Sequence, residues 1–132
     1  MTEGGTSGIP EEWRQVARKD WARVKRQLED GDAEAAGYFL QQSLEKYLKA
    51  FLLQHGWPLK KIHALHDLLS DAVTHQPALE QFRGLCERVS GCYMAERYPP
   101  LVPSDLTCAD VERDREQARQ LIQAMLSEER LD

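Results

Sequence analysis

Apolar residues recur every three or four positions along most of the chain, which is the spacing of helices that bury one face. The first helix is predicted from Pro10 to the turn at residues 30–32, and the second from there to about His55. Gly56 suits the left-handed backbone that often ends a helix. A short third helix is predicted to end near Gln76, because the residue before a proline disfavours helical backbone.

Two more helices are predicted in the second half of the chain. The fourth begins at Pro77 and repeats apolar residues at helical spacing, and the last follows Thr107, which with Asp110 resembles a capping box. Prolines interrupt residues 98–103, so that segment cannot be helix interior. No stretch shows the sustained alternation of a strand. The prediction is an all-α, up-down helical bundle of four to five helices.

Composition is typical of an ordinary soluble domain. The 132 residues suit one domain, predicted at residues 10–132 after a flexible N-terminal lead-in at residues 1–9. The net charge of −5 disfavours a general DNA-coating protein, although a local basic patch could still bind RNA or a nucleotide. Three cysteines without a C-x-x-C pair favour the reducing cytoplasm, and no apolar stretch is long enough for a membrane span.

Polar residues at helical spacing indicate a candidate binding surface. On the second helix, one strip contains Gln42, Glu45, Lys46 and Lys49. The strip is either an ordinary solvated face, in which Glu45 and Lys49 pair, or a cationic shelf on which Lys46 meets a phosphate. Asp20 borders the apolar stripe of the first helix, where a buried carboxylate would need a partner.

Several arginines are candidates for contact with phosphate. Arg97 and Tyr98 end the fourth helix and offer a guanidinium fork and an aromatic face. Alternatively, Arg97 interacts with the end of that helix and Tyr98 packs on the core. Arg97 is also a predicted partner of Asp20. Arg14 and Arg18 share one side of the first helix, where a solubilising surface is favoured over an RNA contact.

Histidines supply the remaining candidates. His63 and His66 are predicted three positions apart on the third helix, with Asp67 beside His66 near the helix start. A metal site would need a third ligand that the sequence does not offer, so no metal or other cofactor is predicted. His66 is instead a candidate general base, because imidazole titrates near neutral pH.

Three sequence elements carry a resemblance to a known family. They are the run QQSLEKYLKA at residues 41–50, the triplet HDL at 66–68 and the run AERYP at 95–99. In this order they resemble the HEPN family, in the branch often encoded beside a minimal nucleotidyltransferase, over roughly residues 11–127. The resemblance implies a helical bundle, usually a homodimer, that acts with nucleotides or RNA. Relatives with ribonuclease activity carry a histidine four to six residues after an arginine, whereas no histidine follows Arg97 here.

Three functional predictions remain open. The leading one is a protein that binds a nucleotide or RNA, a nucleotidyltransferase partner, or both, as one half of a toxin–antitoxin pair. The second is a metal-independent ribonuclease with a non-standard site that uses His66 and Arg97. The third is a non-catalytic dimerising scaffold whose contact surface includes Trp57, Leu59 and Leu101. The predicted binding residues are Asp20, Gln42, Glu45, Lys46, Lys49, His66, Asp67, Arg97 and Tyr98.

Overall fold

The computed structural model of the chain describes the backbone of residues 8–97 and 105–132, and the side chains of these residues except 91–97. Five α-helices and one 3₁₀ helix account for most of this part of the chain, which contains no strand, so the all-α prediction is confirmed. The elements are α1 (Pro10–Glu29), α2 (Ala33–Gln54), α3 (Leu65–Val73), the 3₁₀ helix (Pro77–Phe82), α4 (Arg83–Arg97) and α5 (Cys108–Met125). Among the described residues, no helix is both long enough and apolar enough to cross a membrane.

Local sequence signals explain several helix ends. Asp32 caps α2, because its side chain accepts a hydrogen bond from the backbone N–H of Ala35 at 3.0 Å. Gly56 follows α2 with φ of 81°, a conformation that costs glycine no steric strain. Thr107 and Asp110 form the predicted capping box, in which each side chain accepts a hydrogen bond from the other's backbone N–H. These predicted boundaries are therefore confirmed.

The region around Pro77 differs from the prediction. The third helix ends at Val73 instead of near Gln76, and α4 begins at Arg83 instead of at Pro77. Residues Pro77–Phe82 form a 3₁₀ helix between the two. Gln76 has a non-helical backbone with φ of −146° and ψ of 90°, since a residue that precedes proline disfavours the helical region, and this separates the two helices.

The core surrounds α2, which packs against all four other α-helices. α1 and α2 run antiparallel, because Arg23 near the end of α1 lies beside Phe39 near the start of α2, while Trp13 lies beside Lys49. A helix in this central position buries polar as well as apolar side chains, and each buried polar group then needs a partner. The buried residues of α2 include Ala36, Leu40, Gln41, Ser43, Leu44, Glu45, Tyr47, Leu48, Lys49 and Phe51.

The apolar surface predicted for a dimer contact is largely inside the fold. Trp57 is buried, and its indole Nε1 donates a hydrogen bond to Asp71 Oδ2 at 3.0 Å. Leu59 packs against the core, and Leu101 lies outside the described residues. The prediction that Trp57 is left over for a partner is therefore wrong. The chain turns back after Gly56, and this brings the indole onto the same core as α2.

Candidate functional site

A chain of hydrogen-bonded polar side chains runs along the α1–α2 interface and reaches the loop before α3. We call it the helix cluster. It begins at the half-exposed Arg23 on α1 and ends at the exposed imidazole of His63. Its members are Asp20, Arg23, Gln41, Gln42, Glu45, Lys46, Lys49 and His63.

Asp20 anchors one end of the helix cluster. The residue is only 3% exposed. Its Oδ2 accepts a hydrogen bond from Lys46 Nζ at 2.8 Å, and its Oδ1 accepts one from Arg23 Nη1 at 2.7 Å. Asp20 therefore has the partners that its burial requires, and they come from its own helix and from α2. Arg97 was the predicted partner, but its side chain lies outside the described residues.

Two glutamines connect Asp20 with the buried part of the helix cluster. Lys46 Nζ donates to Gln42 Oε1 at 3.0 Å, and Gln42 Nε2 donates to Gln41 Oε1 at 2.6 Å. Gln41 Nε2 in turn donates to Glu45 Oε1 at 3.3 Å. Gln41 was not among the predicted site residues. Its position four residues before Glu45 on the same helix was the signal that could have identified it.

Glu45 is a buried carboxylate with several donors. Its Oε2 accepts hydrogen bonds from Lys49 Nζ at 3.0 Å and from His63 Nδ1 at 2.9 Å. The predicted pairing of Glu45 with Lys49 is present, but both residues are buried, so the alternative of a solvated face does not hold for them. Lys49 Nζ also lies 5.2 Å from the ring centroid of Trp13, which adds a cation–π contact.

His63, and not His66, is the histidine of the helix cluster. A carboxylate can only accept hydrogen bonds, so the contact with Glu45 places the proton of neutral His63 on Nδ1 and leaves Nε2 as the free acceptor. Gln41 Nε2 also donates to the backbone carbonyl of His63 at 3.2 Å, which holds the residue in place. The side chain of His63 is nevertheless 64% exposed. The buried Glu45 carboxylate thus orients His63 so that Nε2, a proton acceptor, is presented to solvent.

His66 and Asp67 lie at the start of α3 and face solvent. Their side chains approach each other at 3.7 Å between Nε2 and Oδ1, and both are exposed. No contact among the described residues joins either side chain to the helix cluster. The prediction that placed His63 on the third helix is wrong, because Ala64 is extended and the helix begins only at Leu65. His63 is therefore in the loop before α3, where it can turn towards α2.

The two predicted residues at the end of α4 cannot be placed in the site. Arg97 is the last residue of that helix, but its side chain is outside the described residues, and Tyr98 is outside them altogether. Their roles in binding stay predictions.

A second polar cluster joins α1 and α2 to the segment that follows α5. We call it the tail cluster, and it consists of Arg14, Arg18, Tyr47 and Glu129. Glu129 belongs to residues 126–132, the terminal segment that follows α5, and its side chain is only 1% exposed. It accepts hydrogen bonds from both guanidinium groups and from the Tyr47 hydroxyl. The prediction of a solubilising surface is therefore wrong for Arg14, whose side chain is 11% exposed, and holds in part for Arg18, whose side chain is 41% exposed.

Electrostatics in the tail cluster favour the ionised carboxylate. Burial pushes the pKa of Glu129 upward, but hydrogen bonds from Arg18, Arg14 and Tyr47 outweigh burial and hold that pKa below its ordinary value. Burial, reinforced by the neighbouring Glu129 carboxylate, raises the pKa of Tyr47, so the phenol remains a donor. The sequence offered no local signal for this cluster, because Glu129 and Arg18 are 111 positions apart.

A cleft of about 470 Å³ opens between α1, α5 and the chain end. Four carboxylates and two cations line it, so its charge disfavours an anionic ligand. Its Arg115 stacks over the Trp21 ring with 4.6 Å between Cζ and the ring centroid. Within the described residues, no three or more acidic, histidine or cysteine side chains are grouped so that they could hold a metal ion. The lining residues are Lys25, Leu28, Glu29, Glu112, Arg115, Glu116 and Asp132.

These features define an α-helical bundle with a paired-charge network between its first two helices. The model of the HEPN domain matches residues 10–128, so the chain belongs to the HEPN family. TT1696 from Thermus thermophilus has a similar structure, with a TM-score of 0.79 and 24% identity over 92% of this chain and 98% of that one. ST0689, an archaeal HEPN homologue, superposes with a TM-score of 0.71 and 22% identity over 90% and 96% of the two chains. No curated protein matches the chain.

Proposed function

We propose that this HEPN protein binds the phosphate groups of a nucleotide or of RNA at the Arg23 end of the helix cluster. One observation carries the proposal: two cations, Lys46 and Arg23, are held side by side on the buried Asp20. The Arg23 side chain is 40% exposed and that of Lys46 13% exposed. Both are fixed by the same carboxylate, so a phosphate would meet donors that are already positioned.

The charge balance of the helix cluster supports an anionic ligand. It contains three permanent cations, Arg23, Lys46 and Lys49, against the two carboxylates of Asp20 and Glu45. These groups therefore leave one net positive charge. A small surplus of this kind favours a phosphate at the cluster although the whole chain carries a net charge of −5.

Aromatic side chains next to Arg23 extend the proposed site beyond the phosphate. The Arg23 Cζ lies 5.6 Å from the ring centroid of Phe39, and the rings of Phe39 and Tyr38 meet edge to face at 5.3 Å. Both rings are partly exposed. Arginine planes and aromatic faces are the surfaces on which unpaired bases stack, so this patch suits a nucleotide or single-stranded RNA better than a duplex.

Calorimetry with AMP and with a short single-stranded RNA, at constant ionic strength, tests the proposal. We expect Arg23→Met and Lys46→Met each to weaken binding by about tenfold, because each removes one charged contact to phosphate. The matched control is Arg113→Met, since Arg113 also pairs with an aspartate three residues earlier but lies on α5. Equal affinities of Arg23→Met, Lys46→Met and the unmodified chain would refute the proposal.

A protein partner is also part of the proposal, because of the family branch that the sequence resembles. We propose that the chain forms a homodimer and pairs with a minimal nucleotidyltransferase in a toxin–antitoxin system, as is common in the branch that it resembles. Sedimentation of the purified protein tests the dimer. Co-expression with a nucleotidyltransferase from a neighbouring gene, followed by size-exclusion chromatography, tests the pairing, and separate elution of the two proteins would contradict it.

A second candidate function, ribonuclease activity, is favoured by the contact between Glu45 and His63. Nε2 of His63 would take the proton of a ribose 2′-hydroxyl, and the 2′-oxygen would attack the adjacent phosphorus. The bond from phosphorus to the 5′-oxygen breaks, the 5′-oxygen takes a proton from water, and a 2′,3′-cyclic phosphate and a 5′-hydroxyl result. This moves the proposed base from His66 to His63. If the purified protein cleaves RNA, His63→Asn should abolish cleavage and His66→Asn should leave it unchanged. RNA that stays intact with the unmodified protein would remove this candidate.

A further inference from the structure

The tail cluster places an unusual number of donors around one carboxylate. Glu129 Oε1 accepts hydrogen bonds from Arg14 Nε at 3.1 Å, Arg14 Nη2 at 2.7 Å and Arg18 Nη2 at 3.0 Å. Glu129 Oε2 accepts them from Arg18 Nε at 2.6 Å and from the Tyr47 hydroxyl at 2.8 Å. Five donors from two helices therefore converge on two oxygen atoms.

This donor set suits a phosphate better than a carboxylate. A carboxylate offers about four lone-pair sites on two oxygens, which is fewer than the donors present. A terminal phosphate offers three strong acceptor oxygens, and two arginine forks with a hydroxyl match it well. The three donor residues are also fixed before any ligand arrives, because two of them follow each other by one turn of α1 and the third is a fully buried residue of α2.

We propose that Arg14, Arg18 and Tyr47 form a phosphate-binding site that the chain's own Glu129 occupies, so that the terminal segment and a phosphate compete for it. This site shares no residue with the helix cluster. The ligand is a small anion with a terminal phosphate, either free phosphate or a mononucleotide.

The terminal segment is attached in a way that allows such competition. Its two backbone hydrogen bonds are local ones, from Leu126 N to Ile122 O and from Glu129 N to Leu126 O. Leu126 and Leu131 contribute apolar contacts with the core. The attachment to α1 and α2 thus depends on a few side chains, and opening requires no loss of helical structure.

Displacement of the terminal segment would also change the local charge. Glu128 lies on the same segment and pairs with Arg14 Nη1 at 2.8 Å, so two carboxylates would leave together. Among the described residues, Glu11 is then the carboxylate that remains in contact with the two guanidiniums. It lies 3.0 Å from Arg18 and 3.7 Å from Arg14. Two cations against one carboxylate leave a net positive site, which a phosphate would neutralise.

The test is calorimetric titration with inorganic phosphate at constant ionic strength, using the full chain, Glu129→Gln, and a chain that ends at Leu126. We expect both altered proteins to bind phosphate at least about tenfold more tightly than the unmodified chain, since neither must first release the glutamate. Glu80→Gln is the matched control and should change the affinity little, because Glu80 is an exposed carboxylate that pairs with Arg83, outside the tail cluster. Titration of Lys46→Met combined with Glu129→Gln, in which the helix cluster is weakened, separates the two sources: tighter binding of AMP than of phosphate identifies a nucleotide, and equal or weaker binding of AMP identifies free phosphate.

Two further variants decide whether the gain in affinity arises at the tail cluster. Arg18→Ala combined with Glu129→Gln should lose the gain, whereas Lys46→Met combined with Glu129→Gln should keep it. If Glu129→Gln does not fold, nuclear magnetic resonance of the unmodified chain replaces it, and saturating phosphate should shift the Glu129 amide and Leu131 methyl signals. Unchanged signals, affinities of the altered proteins equal to that of the unmodified chain, or a gain that survives Arg18→Ala would each overturn the proposal.

Discussion

The tail cluster and the helix cluster occupy the same interface between α1 and α2 but handle buried charge differently. In the tail cluster, one fully buried carboxylate, Glu129, accepts hydrogen bonds from three residues that lie more than 80 positions away in sequence. In the helix cluster, the carboxylates of Asp20 and Glu45 each bind two basic side chains, and the hydrogen bonds pass from one turn of α2 to the next.

This difference indicates which cluster can lose a side chain without unfolding the protein. Removing a buried charge is costly when its partners cannot reach water, and in the tail cluster Tyr47 is fully buried and Arg14 nearly so. The ends of the helix cluster, Arg23 and His63, already contact solvent and can be hydrated if a partner is lost. We therefore expect the tail cluster to dominate stability and the helix cluster to tolerate substitution.

The largest effect on stability should come from Glu129→Ala. The substitution leaves Arg14, Arg18 and Tyr47 without their shared acceptor, and breaking a buried ion pair in this way costs about 3 kcal/mol. Urea denaturation in phosphate-free buffer measures the loss. Glu128→Ala is the control, with an expected change within about 0.5 kcal/mol, because surface substitutions rarely exceed that value. Similar losses in the free energy of unfolding for Glu129→Ala and Glu128→Ala would contradict the expectation that the tail cluster dominates stability.

Acidification should weaken the tail cluster in the unmodified chain. The folded pKa of Glu129 lies below its ordinary value of 4.5, so the unfolded chain binds this proton more readily than the folded one. The stabilisation is present above pH 4.5 and is lost as the pH falls through the folded pKa. Denaturation curves at several pH values should show the difference between the unmodified chain and Glu129→Gln shrinking below pH 4.5. A constant difference would contradict the charge-based explanation.

Asp20→Asn should have a smaller effect, of about 1.5 kcal/mol, which is typical for the loss of hydrogen bonds to a charged group. Lys46 keeps its contact with Gln42 and Arg23 is already half-exposed, so neither cation is left without a partner or water. The free energy of unfolding from urea titration checks this value. A loss as large as that of Glu129→Ala would show that the helix cluster is as rigid as the tail cluster.

Arg23→Met should have the smallest effect on stability, less than about 0.5 kcal/mol, because its own side chain is 40% exposed and the buried Asp20 keeps its hydrogen bond from Lys46. The same variant is expected to lose phosphate affinity. Urea denaturation beside the calorimetry therefore separates the two roles. Marked destabilisation by Arg23→Met would make its binding defect uninformative and would weaken the assignment of the site.

Much of the fold could be predicted because helices leave local signals. The turn after α1, the Asp32 cap, Gly56 and the Thr107–Asp110 box each depend on residues within four positions of one another. The fourth-helix start was misplaced because proline near a helix start suits a 3₁₀ turn as well as an α-helix.

The candidate site was only partly predictable. Helix phase placed Gln42, Glu45, Lys46 and Lys49 on one strip of α2, and the structure joins them in one network. It placed Asp20 only at the border of the apolar stripe of α1, with Arg97 as the predicted partner, whereas the structure pairs Asp20 with Lys46 of that strip. His66 was the histidine predicted for the site, whereas His63 is the one that contacts Glu45, because the loop before α3 has no periodicity from which an orientation follows.

The sequence by itself determined the all-α class, most of the helix ends and most of the apolar faces that form the core, because each depends on residues within a few turns of one another. Only the tertiary structure decided that Glu129 closes on Arg14, Arg18 and Tyr47, and that His63 meets Glu45. The energy of such contacts depends on burial and distance between side chains far apart in the chain, and neither quantity exists until the helices pack.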